Sequence, residues 1–127
     1  AIASALAAER YSLNILEKDI QDSSNNATRF FVLGRQCSPP TGRDRTSLIL
    51  SIAHQVGALH KALSIFSKHK LNMTQIDSRP NKRKAWEYFF FVDCDGHAQD
   101  PKVAKALAEL QSTCTFVKVL GSYPNSE

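Results

Sequence analysis

From residue 46 onward the chain switches repeatedly between two periods of apolar and polar positions. Thr46 to Ala53 places Leu48, Leu50 and Ile52 on one side and Ser47 and Ser51 on the other, the period-two pattern of a half-buried strand. His54-Gln55-Val56-Gly57 interrupts it. Over Ala58 to Lys70 the apolar positions Leu59, Leu63 and Phe66 take helical spacing, with Ala62 and Ile65 beside them and Lys61, Ser64 and Lys68 opposite. Leu71 to Ser78 returns to a strand through Met73, Thr74 and Ile76. Arg79 to Lys84 reads as a turn, because Pro80 has no N–H to give to a ladder. Ala85 to Cys94 is a strand dense in aromatics, and Asp95-Gly96 turns the chain. Asp100 suits an N-cap, with Pro101 at the first helical position and Val103, Leu107 and Leu110 on the inner face. Thr115 to Leu120 forms the last strand, which Gly121 ends. The order β-α-β-β-α-β predicts an α+β, ferredoxin-like fold: an antiparallel four-stranded sheet with two helices on one face.

The residues before this block read differently. Residues 1 to about 11 form an Ala-rich helix with nothing ahead that could cap it, as though the chain begins inside a domain. Leu13 to Leu16 and Arg29 to Leu33 suggest short strands on either side of a polar turn, Gln21 to Asn26. Cys37-Ser-Pro-Pro-Thr-Gly-Arg-Asp44 has the composition of a linker. The expected organisation is a helix-strand remnant over 1–35, a linker over 36–45 and a second domain over 46–127.

Composition narrows the class. With 43% apolar and 22% charged residues in 127, the chain can bury a core, and whole-chain disorder is excluded. A net charge of +4 permits anionic partners without arguing for nucleic acid. Cys37, Cys94 and Cys114 have no metal-type spacing and read as reduced thiols of an intracellular protein. No stretch approaches a membrane span of ~20 apolar residues, and the apolar start lacks the basic front of a signal peptide.

Three function classes share this topology. The aromatic strand Trp86-Glu-Tyr-Phe-Phe-Phe-Val-Asp93 lies where RNA-recognition modules place stacking residues. However, no glycine lies between Gly57 and Gly96, and Leu48 to Ile52 offers no aromatic. For an enzyme, His54, His60, His69 and His97 lack ligand spacing, and Asp93 and Asp95 fit a turn as well as catalysis. For a small-molecule sensor, Gly57 and Ala58 stand where a strand gives way to a helix, whose free N–H groups and positive end suit a carboxylate. Asn72 and carbonyls around Asp77 and Ser78 could accept from an ammonium group. On these residues alone, a tight turn and the start of a strand explain the same pattern equally well. Arg79, Lys82, Arg83 and Lys84 read as a solvated basic hairpin tip.

Val56-Gly57-Ala58-Leu59 resembles the Gly-Ala-Leu motif of ACT domains in phenylalanine metabolism. Asn72-Met-Thr-Gln-Ile-Asp-Ser-Arg-Pro80 resembles their second motif, Glu-Ser-Arg-Pro, with Asp77 in place of the glutamate. Asn26-Ala-Thr28-Arg29-Phe30 resembles the Asn-x-Thr-Arg-Phe signature that ends the catalytic domain of prephenate dehydratases. Arg45-Thr-Ser-Leu48 and Leu120-Gly-Ser-Tyr-Pro124 resemble the entry and exit of their regulatory domain. The resemblance covers nearly the whole chain and favours that family over phenylalanine hydroxylases, which lack the Thr-Arg-Phe segment.

The resemblance implies an allosteric ACT domain that binds L-phenylalanine and gives feedback control, preceded by the tail of a catalytic domain that turns prephenate into phenylpyruvate. An arogenate dehydratase, or an ACT pairing module without ligand, is the alternative. It implies a ligand site at Gly57, Ala58, Leu59, Asn72, Asp77, Ser78, Arg79 and Pro80. It also implies catalytic roles in the parent enzyme for Thr28, Arg29 and Phe30, with the Thr28 hydroxyl assisting departure of the leaving oxygen. The expected partners are the effector and a second copy of the chain, paired through the ACT domains, with a dimer or a tetramer in the full enzyme and no metal, cofactor, nucleic acid or membrane. The expected location is the cytoplasm, or the plastid for a plant protein.

Overall fold

A computed structural model describes residues 1–23, 28, 30–80 and 88–125. Arg29, the second half of the polar turn, the basic tip at Lys82 to Lys84, and Trp86 lie outside the described residues. The chain divides into two compact units, Ala1–Leu33 and Gly34–Glu127.

The first unit holds one helix, α1 (Ala5–Arg10). It is shorter than the Ala-rich run predicted, and it is capped: the Ser4 side chain accepts from the Ala7 N–H at 3.2 Å. The expectation of an uncapped start was wrong because Ser4 lies inside the apolar run. The strands expected at 13–16 and 29–33 do not form among the described residues. A strand needs a partner strand to take its backbone groups, and among the described residues the sheet contains neither segment. Phe30, Val32 and Leu33 are 84%, 100% and 91% exposed.

The second unit runs β1 (Asp44–Ser51), α2 (Ala58–Lys68), β2 (Met73–Pro80), β3 (Tyr88–Asp95), α3 (Pro101–Thr113) and β4 (Phe116–Pro124). The strands make one antiparallel sheet in the order β2-β3-β1-β4. Leu48 and Leu50 of β1 and Val92 and Cys94 of β3 share a face and pack with Ala62, Ile65 and Phe66 of α2 and Val103, Ala106 and Leu110 of α3. Both helices therefore cover that one face, as the ferredoxin-like order predicts.

Several boundaries differ from the sequence reading, each for a local reason. Pro80 ends β2 instead of opening a turn, since β2 is an edge strand where a missing N–H costs nothing. Gly121 does not end β4. The ladder slips there, with Ser47 opposite Gly121 and Leu48 opposite Val119, so Leu120 bulges out and the strand continues to Pro124. Ser47 and Ser51 are not solvated: they are only 7% and 5% exposed. β1 is flanked on both sides, and larger neighbours shade its small side chains. The rings of Phe89 and Phe116, both opposite Ser51, meet edge to face at 6.0 Å. The Ser47 hydroxyl donates to Asp93 at 2.6 Å and lies 2.9 Å from the Tyr123 hydroxyl.

The proline-containing segment is pinned to the sheet. Asp44 accepts from the Thr41 N–H and hydroxyl at 2.8 and 2.7 Å and from the Gly42 N–H at 3.0 Å. Burial raises the Asp44 carboxyl's pKa, but these bonds and nearby His97 outweigh it and hold the group below its ordinary value. His97 is buried. Its Nδ1 accepts from the Gln99 N–H at 3.1 Å, which leaves Nε2 to donate to the Ser38 carbonyl at 3.0 Å.

Candidate functional site

The candidate sensor site starts from one glycine. Gly57 has φ +78°, a left-handed conformation that leads the chain out of the β1–α2 loop and into α2. A Cβ built there meets nothing within 4 Å, so the space in front of the helix is open. No side chain caps the helix, and no acidic residue stands in its first turn. The Ala58 N–H is taken by the Gln55 carbonyl at 3.2 Å, which leaves the amides of Leu59 and His60 as the first that point out of the helix start. Val56 projects fully into solvent beside this opening, and Leu59 is half-buried. The arrangement can receive an anion at the amides and an apolar group next to it.

The second motif lies on β2, and its two ends serve different places. β2 runs parallel to β1, because each pairs antiparallel with β3. Ser78, Arg79 and Pro80 stand opposite Phe90, Phe89 and Tyr88, at the end of the sheet where β1 leads toward Gly57. Asn72 stands at the other end, about seven residues or roughly 23 Å of strand away. Its side chain donates to the Asp95 carboxylate at 2.9 Å, and its carbonyl accepts the Asp95 N–H at 2.9 Å. One chain therefore does not bring Asn72 and Gly57 together. Asp77 pairs with Arg79 at 2.9 Å on the face of the sheet away from the helices.

In the first unit, Thr28 and Phe30 are exposed, and Arg29 lies outside the described residues. A groove there is lined by Ile2, Ala5, Ala8, Leu13, Ile15 and Ile20, among others, but by neither Thr28 nor Phe30. Among the described residues no three His, Cys, Asp or Glu side chains cluster as metal ligands, and no helix is long and apolar enough to cross a membrane. Sequence reasoning missed Asp95, the partner that orients Asn72. Its position two residues past Asp93 signalled only a turn.

The family model for prephenate dehydratase matches residues 1–38, and that for the ACT domain matches residues 46–111. The bifunctional chorismate mutase/prephenate dehydratase of Aquifex aeolicus is 52% identical over 126 residues, covering 99% of this chain and 35% of its own length. The chain thus spans about a third of the length of the curated relatives it matches. A crystal structure of prephenate dehydratase from Arthrobacter aurescens in complex with L-Phe is similar at a TM-score of 0.66 and 36% identity, over 72% of this chain and 30% of that one. A solved structure of GqqA, described as a novel type of quorum quenching acylase, is similar at a TM-score of 0.68 and 32% identity, over 74% of this chain and 48% of that one.

Proposed function

The chain belongs to the prephenate dehydratases that carry an ACT domain, and from that membership we propose that it serves as their phenylalanine-sensing regulatory part. The observation that carries this reading is the open, uncapped start of α2 behind Gly57. The Arthrobacter relative, solved with L-Phe, adds support for that ligand. The effector carboxylate meets the amides of Leu59 and His60. Its ring lies against Leu59, and its ammonium group meets backbone carbonyls near Ser78 and the side-chain oxygen of an asparagine.

That asparagine comes from a second copy. Among the described residues β2 is an outer strand of the sheet. If two β2 strands pair antiparallel about a twofold axis, Asn72 of the partner subunit lies at the Gly57 end, and the two halves of the motif meet. Calorimetric titration with L-phenylalanine, using L-tyrosine, L-tryptophan and L-leucine as controls, tests the reading. Saturable binding selective for phenylalanine is expected, and no binding from a folded dimer overturns it. Gly57→Val and Asn72→Ala should each lose binding, while an equimolar mixture of the two recovers part of it, because a mixed pair holds one intact site. A mixture as inactive as its components would place both residues in one chain.

In a longer enzyme, ligand would favour a less active arrangement, with a coupling on the order of 1–3 kcal/mol. The chain itself should lack dehydratase activity, since among the described residues Thr28 and Phe30 are exposed and neither lines the groove of the first unit. Measurable phenylpyruvate formed from prephenate would contradict this.

A further inference from the structure

Phenylalanine and phenylpyruvate share a ring and a carboxylate and differ in what the carbon next to the carboxylate carries. The amino acid has an ammonium group there, a donor that cannot accept, and the keto acid has a carbonyl oxygen, an acceptor that cannot donate. The open start of α2 and the apolar surface of Leu59 meet only the shared parts, so they receive both compounds alike. Any preference between the two comes from the Asn72 end of the second motif. An asparagine amide is by itself undecided: its two ends have nearly the same shape, and one donates while the other accepts. If free to turn, it serves either compound.

Asp95 removes that freedom. Its carboxylate lies 2.9 Å from Asn72 Nδ2. A carboxylate only accepts, so the NH2 end of Asn72 is the end turned toward it. Asn72 Oδ1 then points away from Asp95 on an exposed residue, and no described residue donates to it. The backbone beneath this pair is fixed. The Asp95 N–H donates to the Asn72 carbonyl at 2.9 Å, and the Gly96 N–H donates to the Asp44 carbonyl at 2.7 Å. The Thr46 hydroxyl donates to the Gly96 carbonyl at 2.6 Å. Gly96 itself has φ +108°, and a Cβ there would come within 2.8 Å of Val103, so the turn calls for glycine. The backbone bond already ties the start of β2 to the end of β3. What the side-chain bond adds is direction.

We propose that Asp95 is the residue by which the effector site takes the α-amino acid and refuses the α-keto acid of the same skeleton. This role rests on the effector reading above, in which an asparagine oxygen meets the ammonium group. With Asp95 in place, a keto oxygen brought to that position faces another acceptor and finds no donor. A site built to hydrogen-bond a ligand N–H rejects the analogue lacking it far more strongly than an apolar pocket rejects a missing methylene. Asp95 touches the amide and not the ligand, so it is a positioning residue. In a longer enzyme, a control site blind to this difference would respond to the product of the dehydration itself, whereas one that reads it responds to the finished amino acid.

Calorimetric titration of the chain with L-phenylalanine and with phenylpyruvate reads the role. The parent should prefer phenylalanine by at least roughly a hundredfold. Asp95→Asn should cut that preference at least about tenfold, with weaker phenylalanine binding and equal or tighter phenylpyruvate binding, because the amide at position 72 can then present either end. Asp95→Ala should cut it in the same way, and far-ultraviolet circular dichroism shows that each variant is folded. A merely structural role would weaken both compounds together and keep their ratio. A ratio in both variants as large as the parent's therefore overturns the proposal, and so does a parent that binds the two compounds alike; in either case phenylalanine sensing still stands. A parent that binds neither compound removes the effector reading and this role with it.

Discussion

Lys70 has φ +53°, a left-handed conformation that disfavours any residue with a Cβ. It stands just past the end of α2, where the Leu71 N–H reaches the Phe66 carbonyl at 2.9 Å and the Lys70 N–H reaches the Ser67 carbonyl at 3.0 Å. Those two bonds define a Schellman end, which glycine usually fills, and buried Leu71 supplies its apolar contact. Lys70→Gly should therefore stabilise the domain by roughly 1 kcal/mol, read as a higher urea midpoint; an unchanged or lower midpoint would show that the lysine is not strained. Cys94 makes a second prediction. It is 1% exposed, and burial, with Asp95 and Asp93 nearby, pushes its thiol up to about 11 from an ordinary 9.0. The folded state holds this proton more tightly than the unfolded chain, so the contribution is intact below pH 9 and is lost as pH rises toward 11. Between pH 8 and 10.5 the parent should lose on the order of 2 kcal/mol more than Cys94→Ala. Equal losses would remove the thiol from the account. The left-handed turn at Gly57 was legible in the sequence, because a glycine between a strand and a helix marks one. Lys70 was not, since nothing in its residue type announces a positive φ. Asp100 was half legible: it does precede α3, but its carboxylate accepts from the His97 N–H at 2.8 Å instead of capping the helix.

The helices of the second unit were the most legible elements, because a period near 3.6 survives small errors in their ends. Strand ends were harder. Edge position lets β2 absorb Pro80, and a bulge lets β4 pass Gly121, and both depend on neighbours that periodicity does not reveal. Packing between α2 and α3 is tied at one end by Glu109, which accepts from Lys68 at 2.8 and 3.0 Å and lies 2.8 Å from His69 Nε2. These bonds hold the Glu109 carboxyl below its ordinary 4.5, so what they contribute fades as the solution is acidified below that value. The clasp is partly solvated, and Glu109→Gln should cost much less than truncation in the core. Leu50→Ala, beneath both helices in the fully buried core, should cost roughly 2–5 kcal/mol. Urea unfolding of the two variants should rank them in that order, and a larger loss from Glu109→Gln would make the clasp more important than the core.

At the scale of the molecule, topology was readable because six elements in alternating order admit few arrangements. The layout of the candidate site was only partly readable. The second motif is continuous along the chain, yet the parallel run of β1 and β2 sends Asn72 to the end of the sheet opposite Gly57. The first unit was misread in its strands because a pattern of apolar residues cannot say whether a partner strand is at hand. That unit keeps Leu16 and Leu33 almost wholly exposed. Brief trypsin treatment should therefore cut at Lys18 and Arg35 and leave a resistant fragment beginning at Gln36, identifiable by mass. Simultaneous loss of the whole chain would mean that the second unit is no more robust than the first.

The proline-containing stretch before β1 resembles free cord in the sequence, but it is moored twice: Ser38 to His97 and Thr41 to Asp44. His97 sits in the turn between β3 and α3, at the same end of the sheet as Asn72 and Asp95. A displacement of that turn would be passed to the cord at once, without being spent on straightening it. The stretch is built as a short tow-line, and the imidazole is its knot.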